Sequence, residues 1–263
     1  MVRTFFSDPT PFAVAHRGSR LLWPENTMTA FQGAVDLGYR YLETDLHRSR
    51  DGVLVAFHDA LLDRTTNGTG KLAARSWDEL SALDAAYHFA PHQGYPRRGT
   101  GIRIPSLDEV FEAFPSIRLI LDLKAPGCET DLAEHLRDNG REDQVIVGAF
   151  SDTRLARFRK ASGGRVATSS GPAETIALWT AARFGRALRT RADALQVPED
   201  FAFVALPDRK LIAAAEASGR QVHVWTVNDP DHMARLLDTG VHALITDRPD
   251  LLKQLMEERG EWA

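Results

Sequence analysis

The sequence predicts an α/β protein: a (β/α)₈ TIM barrel with an insertion after its second strand. Two observations lead there. Short apolar runs alternate with longer amphipathic segments along almost the whole chain, and eight such pairs fit into 263 residues. The runs are also apolar nearly throughout, rich in Val, Ile, Leu and Phe, as parallel strands covered by helices should be. A doubly wound sheet gives the same alternation, and the pattern alone leaves that alternative open. No internal repeat and no low-complexity tract interrupts it.

The elements follow in order. FAVAH (12–16) is the first strand run, and a helical pattern over 27–37 follows it. YLETDLH (41–47) is the second, but its helix, 106–113, comes only after a long interruption over 59–103. That stretch, rich in Gly, Pro, Thr and Arg, exceeds an ordinary strand-to-helix connection and reads as an insertion over the mouth of the barrel. LILDLK (119–124) pairs with a helix at 129–138, VIVGAF (145–150) with 151–161, and RVATSS (165–170) with 172–183. ALQVP (194–198), QVHVWTV (221–227) and ALITD (243–247) precede helices at 207–218, 230–238 and 249–258. Ser, Thr or Asp caps and first-turn prolines open several of them, as in SLDEV, SDTRL, NDPDHM and DRPDLL. Gly140, Gly185, Gly219 and Gly240 stand where helices should stop. The chain thus reads as one catalytic domain, 1–263, with the insertion inside it.

Bulk properties narrow the partners. The composition, 43% hydrophobic and 26% charged, is that of an ordinary globular protein. A net charge of −4 without a dense Lys/Arg run argues against nucleic acid or an anionic membrane surface. The single cysteine, Cys128, excludes an intramolecular disulfide and a Cys-rich metal cluster. MVRTFFSDPTPF contains only a two-residue apolar patch, too short for a signal-peptide core, and no stretch is apolar enough to span a bilayer. A cytoplasmic protein with a small-molecule partner and no stable membrane insertion is expected; the oligomeric state is not legible.

Polar residues at strand ends carry the chemistry, since catalytic groups of a barrel belong at the C-terminal ends of its strands. His16 and Arg17 close the first run; Glu43 and Asp45 sit two apart in the second, hence on one face. Asp122 and Lys124 repeat the two-residue step, Trp225 lies late in the seventh run, and Asp247 closes the eighth. Singly, each has a plain structural reading: an ion pair for Arg17 or for Asp122 with Lys124, core packing for Trp225, and a helix cap for Asp247, which is the reading favoured there. Together they suggest a shared site, because buried charges are costly unless paired. A further apolar run, DGVLVAFHD, delivers His58 close behind the Glu43/Asp45 strand. Two histidines near carboxylates suit general acid–base catalysis. Carboxylates without cysteine favour one hard divalent cation, Mg²⁺ or Ca²⁺. Arg17 and Lys124 suit a phosphate group. Metal-assisted cleavage of a phosphoester is the leading chemical class.

HRG…PENT, ETDLHRSRDGVLVAFHDALLDRTTNGTG, LDLK, VWTVN and ITDRPD, in that order from His16 to Asp250, resemble the glycerophosphodiester phosphodiesterase family. The resemblance implies a TIM barrel, a divalent metal and hydrolysis of glycerophosphodiesters to an alcohol and glycerol 3-phosphate. It also implies His16 and His58 as the general acid/base pair, and Glu43, Asp45 and Asp122 as metal ligands. Arg17 and Lys124 would bind phosphate and Trp225 would line the pocket; which histidine is acid, and whether a cyclic phosphate forms, stay open. This chain departs from the family pattern at Asp122, where Glu is common, and at His47 and Ser49, where Gln and Thr are more usual. His47 reads as a strand-end side chain turned to solvent, with reach into the site as the alternative. Glu25 is expected to brace Arg17, and Asn26 or Thr27 to cap the first helix.

Three other activities are weighed against this one. Lysophospholipase D activity needs an apolar groove; Trp77, Leu80, Leu83, Tyr87, Phe89 and Tyr95 of the insertion either form its lip or merely pack a subdomain. A non-catalytic phospholigand-binding barrel does not explain why every key position is filled. A metal-dependent sugar isomerase does not explain the HD-to-TTNGTG segment.

Overall fold

The computed structural model describes residues 3–185, 190–201, 204–205 and 207–262. Its strands are β1 (Phe12–His16), β2 (Tyr41–Arg48), β3 (Leu54–Ala56), β4 (Arg118–Leu123), β5 (Val145–Gly148), β6 (Ala167–Thr168), β7 (Ala194–Pro198), β8 (Asp200–Phe201), β9 (Val204–Ala205), β10 (Gln221–Trp225) and β11 (Ala243–Thr246). The helices are α1 (Met28–Asp36), α2 (Trp77–Ser81), α3 (Leu107–Ala113), α4 (Cys128–Asp138), α5 (Asp152–Ala161), α6 (Pro172–Arg183), α7 (Arg209–Ala217), α8 (Pro230–Thr239) and α9 (Pro249–Glu258).

Eight strands lie parallel in the order β6-β5-β4-β2-β1-β11-β10-β7. What separates a barrel from a doubly wound sheet is whether the ends of that row meet. They do. A parallel bridge pairs Ser169 with Ala194. Asp193 N donates to Thr168 O at 2.7 Å, and Ser170 N to Ala194 O at 2.9 Å. The TIM barrel is therefore the fold, and the open-sheet alternative falls. All eight expected helices are present to within two residues at either end. Thr27, Ser106, Ser151, Asp208 and Asp229 cap α1, α3, α5, α7 and α8 through their side chains.

Strand alternation divides the apolar residues into two layers. Side chains such as Leu42, Leu119, Leu121 and Val222 point outward and pack under the helices. Val14, Tyr41, Ile120, Ile146 and Ile245 point inward and fill the lumen, whose lower end is plugged by Phe5 and Phe12. Phe12 stacks on Tyr41 with ring centroids 4.2 Å apart, and Phe5 meets the edge of Tyr41 at 5.3 Å. The apolar patch near the N-terminus is thus the floor of the barrel. No helix among the described residues is long and apolar enough to cross a membrane.

The segment 59–103 differs from expectation. It does not roof the barrel: no residue of it lines the cavity described below. Together with β3, which lies antiparallel on β2, it forms a small core of its own. Leu62, Leu72, Leu80, Ala85 and Ile104 are buried there with Val55 and Phe57, and Trp77 and Leu83 pack against them. Of the two readings of this apolar group, subdomain packing holds for Trp77, Leu80 and Leu83, which pack the core of the insertion. Tyr87 and Tyr95 take a further role and sandwich the Arg98 guanidinium, at 4.0 and 3.8 Å from their ring centroids.

Candidate active site

A cavity of about 630 Å³ opens at the C-terminal end of the strands. The eight residues expected to serve catalysis, phosphate or metal all line it: His16, Arg17, Glu43, Asp45, His58, Asp122, Lys124 and Trp225. Register explains the convergence. His16 pairs with Glu43 across β1 and β2, and Asp45 with Asp122 across β2 and β4, so alternation sends the four side chains to the same end of the lumen.

The exit from β1 is built for this. Arg17 and Gly18 both take positive φ, 53° and 78°. A Cβ at Gly18 would sit 2.5 Å from the carbonyl carbon of Ala30, so only glycine lets the turn press against α1. Arg17 N donates to Glu43 Oε2 at 3.2 Å, and its guanidinium pairs with Asp45 at 3.0 Å and with Glu25 at 2.9 Å. Glu25 is therefore the brace for Arg17. Asn26 is no cap: its amide donates to Asp45 Oδ2 at 2.9 Å and accepts from the Thr44 hydroxyl at 2.8 Å.

Each histidine carries a carboxylate on Nδ1. His16 Nδ1 lies 2.8 Å from Asp247 Oδ1, and His58 Nδ1 lies 2.6 Å from Asp59 Oδ1. With Nδ1 so engaged, Nε2 is the nitrogen left for proton transfer. Burial pulls the His16 pKa down, but Glu43 and Asp247 outweigh it and the net shift is upward. Asp247 is held at about 2 against its own burial by the hydrogen bond from His16 and by Arg20, whose Nε donates at 2.8 Å.

Asp247 thus corrects the cap expected there. It is fully buried, while the N-cap of α9 is Arg248, without a side-chain bond. Nothing in ALITD distinguished a cap from a histidine partner 231 residues away; only closure of β11 onto β1 does. His47 is likewise corrected. It is buried, not turned to solvent, and its Nε2 lies 3.0 Å from the His58 carbonyl oxygen, so it holds the backbone beneath the second histidine.

The carboxylates balance against two cations. Lys124 Nζ lies 2.5 Å from Asp122 Oδ2 and 3.0 Å from Asp45 Oδ1. Asp45 stays well ionised against its burial because Arg17 and Lys124 flank it. Glu43 is pushed up to about 7, first by burial and then by the charge of Asp45. Among the described residues no three His, Cys, Asp or Glu side chains stand preassembled as a metal cage. The donor set nonetheless fits a hard divalent cation. Its ligands are all oxygen, Asp122 Oδ1 is buried without a hydrogen-bond partner, and Glu43 behaves as a carboxylate short of positive charge.

Another part of the lining is apolar, and it adjoins the charged cluster where Lys124 Nζ lies 5.6 Å from the Phe150 ring centroid. Phe150, Pro172, Ile176, Trp179 and Pro198 form it beside Trp225, which meets Phe150 edge-on at 5.3 Å. Phe150 and Ile176 are 64% and 50% exposed, far more than a core position allows.

A TIM barrel with two carboxylate-held histidines, a carboxylate cluster and two cations at one mouth defines a hydrolase of phosphoric esters. The chain belongs to the glycerophosphoryl diester phosphodiesterase family, whose model matches residues 16–251. It is 35% identical over 260 residues to the probable glycerophosphodiester phosphodiesterase 2 of Mycobacterium tuberculosis, covering 95% of this chain and 92% of that one. The structure is similar, at a TM-score of 0.74 and 25% identity, to an Oleispira antarctica phosphodiesterase solved with its product sn-glycerol-3-phosphate; the match covers 94% of this chain and 97% of that one. A lysophospholipase D of Rattus norvegicus is 26% identical over 269 residues, covering 92% of this chain and 85% of the relative. The chain is an enzyme with glycerophosphodiester phosphodiesterase activity. Its family generally uses a divalent cation.

Proposed function

We propose that the enzyme hydrolyses glycerophosphodiesters such as glycerophosphocholine or glycerophosphoethanolamine to glycerol 3-phosphate and the free alcohol. His16 and His58 form the acid/base pair. One takes the proton of the attacking oxygen and the other protonates the leaving alkoxide, each through Nε2. Arg17 and Lys124 receive the phosphate oxygens. Glu43, Asp45 and Asp122 hold one divalent cation, Mg²⁺ or Ca²⁺, which when bound supplies positive charge to the phosphoryl oxygens. Trp225 lines the side of the leaving group. All of this belongs to one catalytic domain, 1–263, in which 59–103 is the insertion. The observation that carries the reading is the pair of His–Asp couples, at 2.8 and 2.6 Å, flanking one carboxylate–cation cluster.

The test is a panel of glycerophosphodiesters assayed for glycerol 3-phosphate with and without chelator, Mg²⁺ and Ca²⁺ being added back separately. Loss of product on chelation and its return with one ion are expected. Undiminished turnover in chelator would remove the metal assignment, and no glycerol 3-phosphate from any diester would remove the substrate. A second reading, lysophospholipase D activity on lysophospholipids, is supported by the apolar wall of Phe150, Ile176 and Trp179, which suits an acyl chain. Comparing glycerophosphocholine with lysophosphatidylcholine at equal headgroup separates the two.

A further inference from the structure

Arg64 lies outside every role given above, on a segment that contributes nothing to the cavity lining. Yet its guanidinium grips two carboxylates at once. Nη1 and Nη2 donate to the two oxygens of Glu25 at 2.8 and 2.7 Å, and Nε donates to Asp59 Oδ2 at 2.5 Å. Those carboxylates are the partners of two different site residues. Glu25 Oε1 also accepts from Arg17 Nη1 at 2.9 Å, and Asp59 Oδ1 faces His58 Nδ1 at 2.6 Å.

We infer that Arg64 is a positioning residue that sets Arg17 and His58 relative to one another, through Glu25 and Asp59, without touching the substrate. The inference rests on the assignment of Arg17 to the phosphate and of His58 to proton transfer. Three features support it. The fork is used in the form only a guanidinium offers: two parallel donors on one carboxylate and the third on another. It ties the β1–α1 connection to the segment leaving β3, and among the described residues no other side chain hydrogen-bonds to both Glu25 and Asp59. Both carboxylates are also stabilised in their charged form, against burial, chiefly by the hydrogen bonds from Arg64. A surface ion pair would not matter much, since exposed pairs add little to stability. The consequence of Arg64 lies in geometry, because small misplacements of reacting groups cost rate steeply.

The experiment compares wild type with Arg64→Gln, Arg64→Lys and Asp59→Asn, and with the double variant of Arg64→Gln and Asp59→Asn. Arg64→Gln should lower kcat/KM for glycerophosphodiester hydrolysis on the order of 10–100-fold, with kcat and KM both affected and the melting temperature nearly unchanged. Arg64→Lys keeps the charge and loses the fork, so it should recover only part of the deficit. The double variant should be no worse than its weaker parent, since both changes break one chain of contacts. A loss of twofold or less in Arg64→Gln, full rescue by lysine, or multiplying penalties in the double variant would each overturn the inference. One readout does not depend on which diester is cleaved: the ring-nitrogen resonances of His58 in ligand-free protein should move in Arg64→Gln, and unchanged resonances overturn it as well. A wild type without diesterase activity would instead count against the proposed function, while the His58 resonances still decide the role of Arg64.

Discussion

The two ends of the barrel lumen share strands, alternation and burial, yet they treat histidine in opposite ways. At the mouth, His16 is pushed upward by Glu43 and Asp247 despite its burial. At the floor, His223 on β10 sits fully buried against Phe12 and Phe6 and is pushed down to about 3, by burial first and then by nearby His242. The difference teaches where each end directs its free energy. The floor leaves its histidine neutral, with His223 Nε2 meeting Gln221 Oε1 at 3.0 Å. The mouth gathers charges that must be paired, and that arrangement is justified by chemistry, not by stability.

The strongest test of that division removes a mouth histidine. His16→Ala or His58→Ala should lower kcat about 10²–10⁴-fold, the contribution of one positioned acid or base, while the melting temperature stays close to wild type. Turnover near wild type in either variant removes that histidine from the mechanism; a collapse of stability would show the mouth to be structural after all. Truncating the floor should invert the pattern. Phe12→Ala deletes a ring that stacks on Tyr41 and meets His223 edge-on, and should cost about 3–5 kcal/mol of unfolding free energy, read by denaturant titration, with kcat per folded molecule unchanged. Asp247→Asn is the intermediate case. It keeps the volume but weakens the hold on His16 Nδ1, and it should lower kcat on the order of 10²-fold with KM nearly constant.

The sequence carried the division unevenly. Strand-end charges at two-residue spacing, in Glu43–Asp45 and Asp122–Lys124, announced the mouth because alternation is local. Helix ends were legible for the same reason: caps at Thr27, Ser106 and Ser151 act within one turn. Contacts across the closed barrel were not. Asp247 reaches His16 only through the pairing of the last strand with the first. His47 looked solvent-facing because nothing before folding shows the His58 carbonyl returning beneath it. Trp77, Leu80 and Leu83 were legible as an apolar group, but whether such a group faces a ligand or its own core depends on how the segment folds back. The apolar wall escaped altogether, since Phe150 comes from the β5–α5 connection and Ile176 and Trp179 from α6, and they carry no charge to mark them.

The smallest expected effect discriminates the two histidines most directly. For His223 the folded pKa lies below the unfolded value, about 3 against 6.5. Between those values the unfolded chain binds a proton that the folded chain refuses, so stability contributed above pH 6.5 is lost as pH falls. The slope is at most about 1.4 kcal/mol per pH unit. His223→Gln keeps a polar side chain able to meet Gln221 and has nothing to titrate. In denaturant titrations between pH 7 and pH 4, wild type should therefore lose stability relative to His223→Gln as the solution becomes more acidic, whatever their offset at neutrality. His16 has the reverse sign: its folded pKa is raised, so its contribution is complete below 6.5 and is lost as pH rises through the folded value. Wild type should instead lose stability relative to His16→Gln as pH rises. Parallel curves for His223→Gln would mean that the floor histidine is accessible to protons in the folded state, and the contrast between the two ends of the lumen would fail at its simplest point.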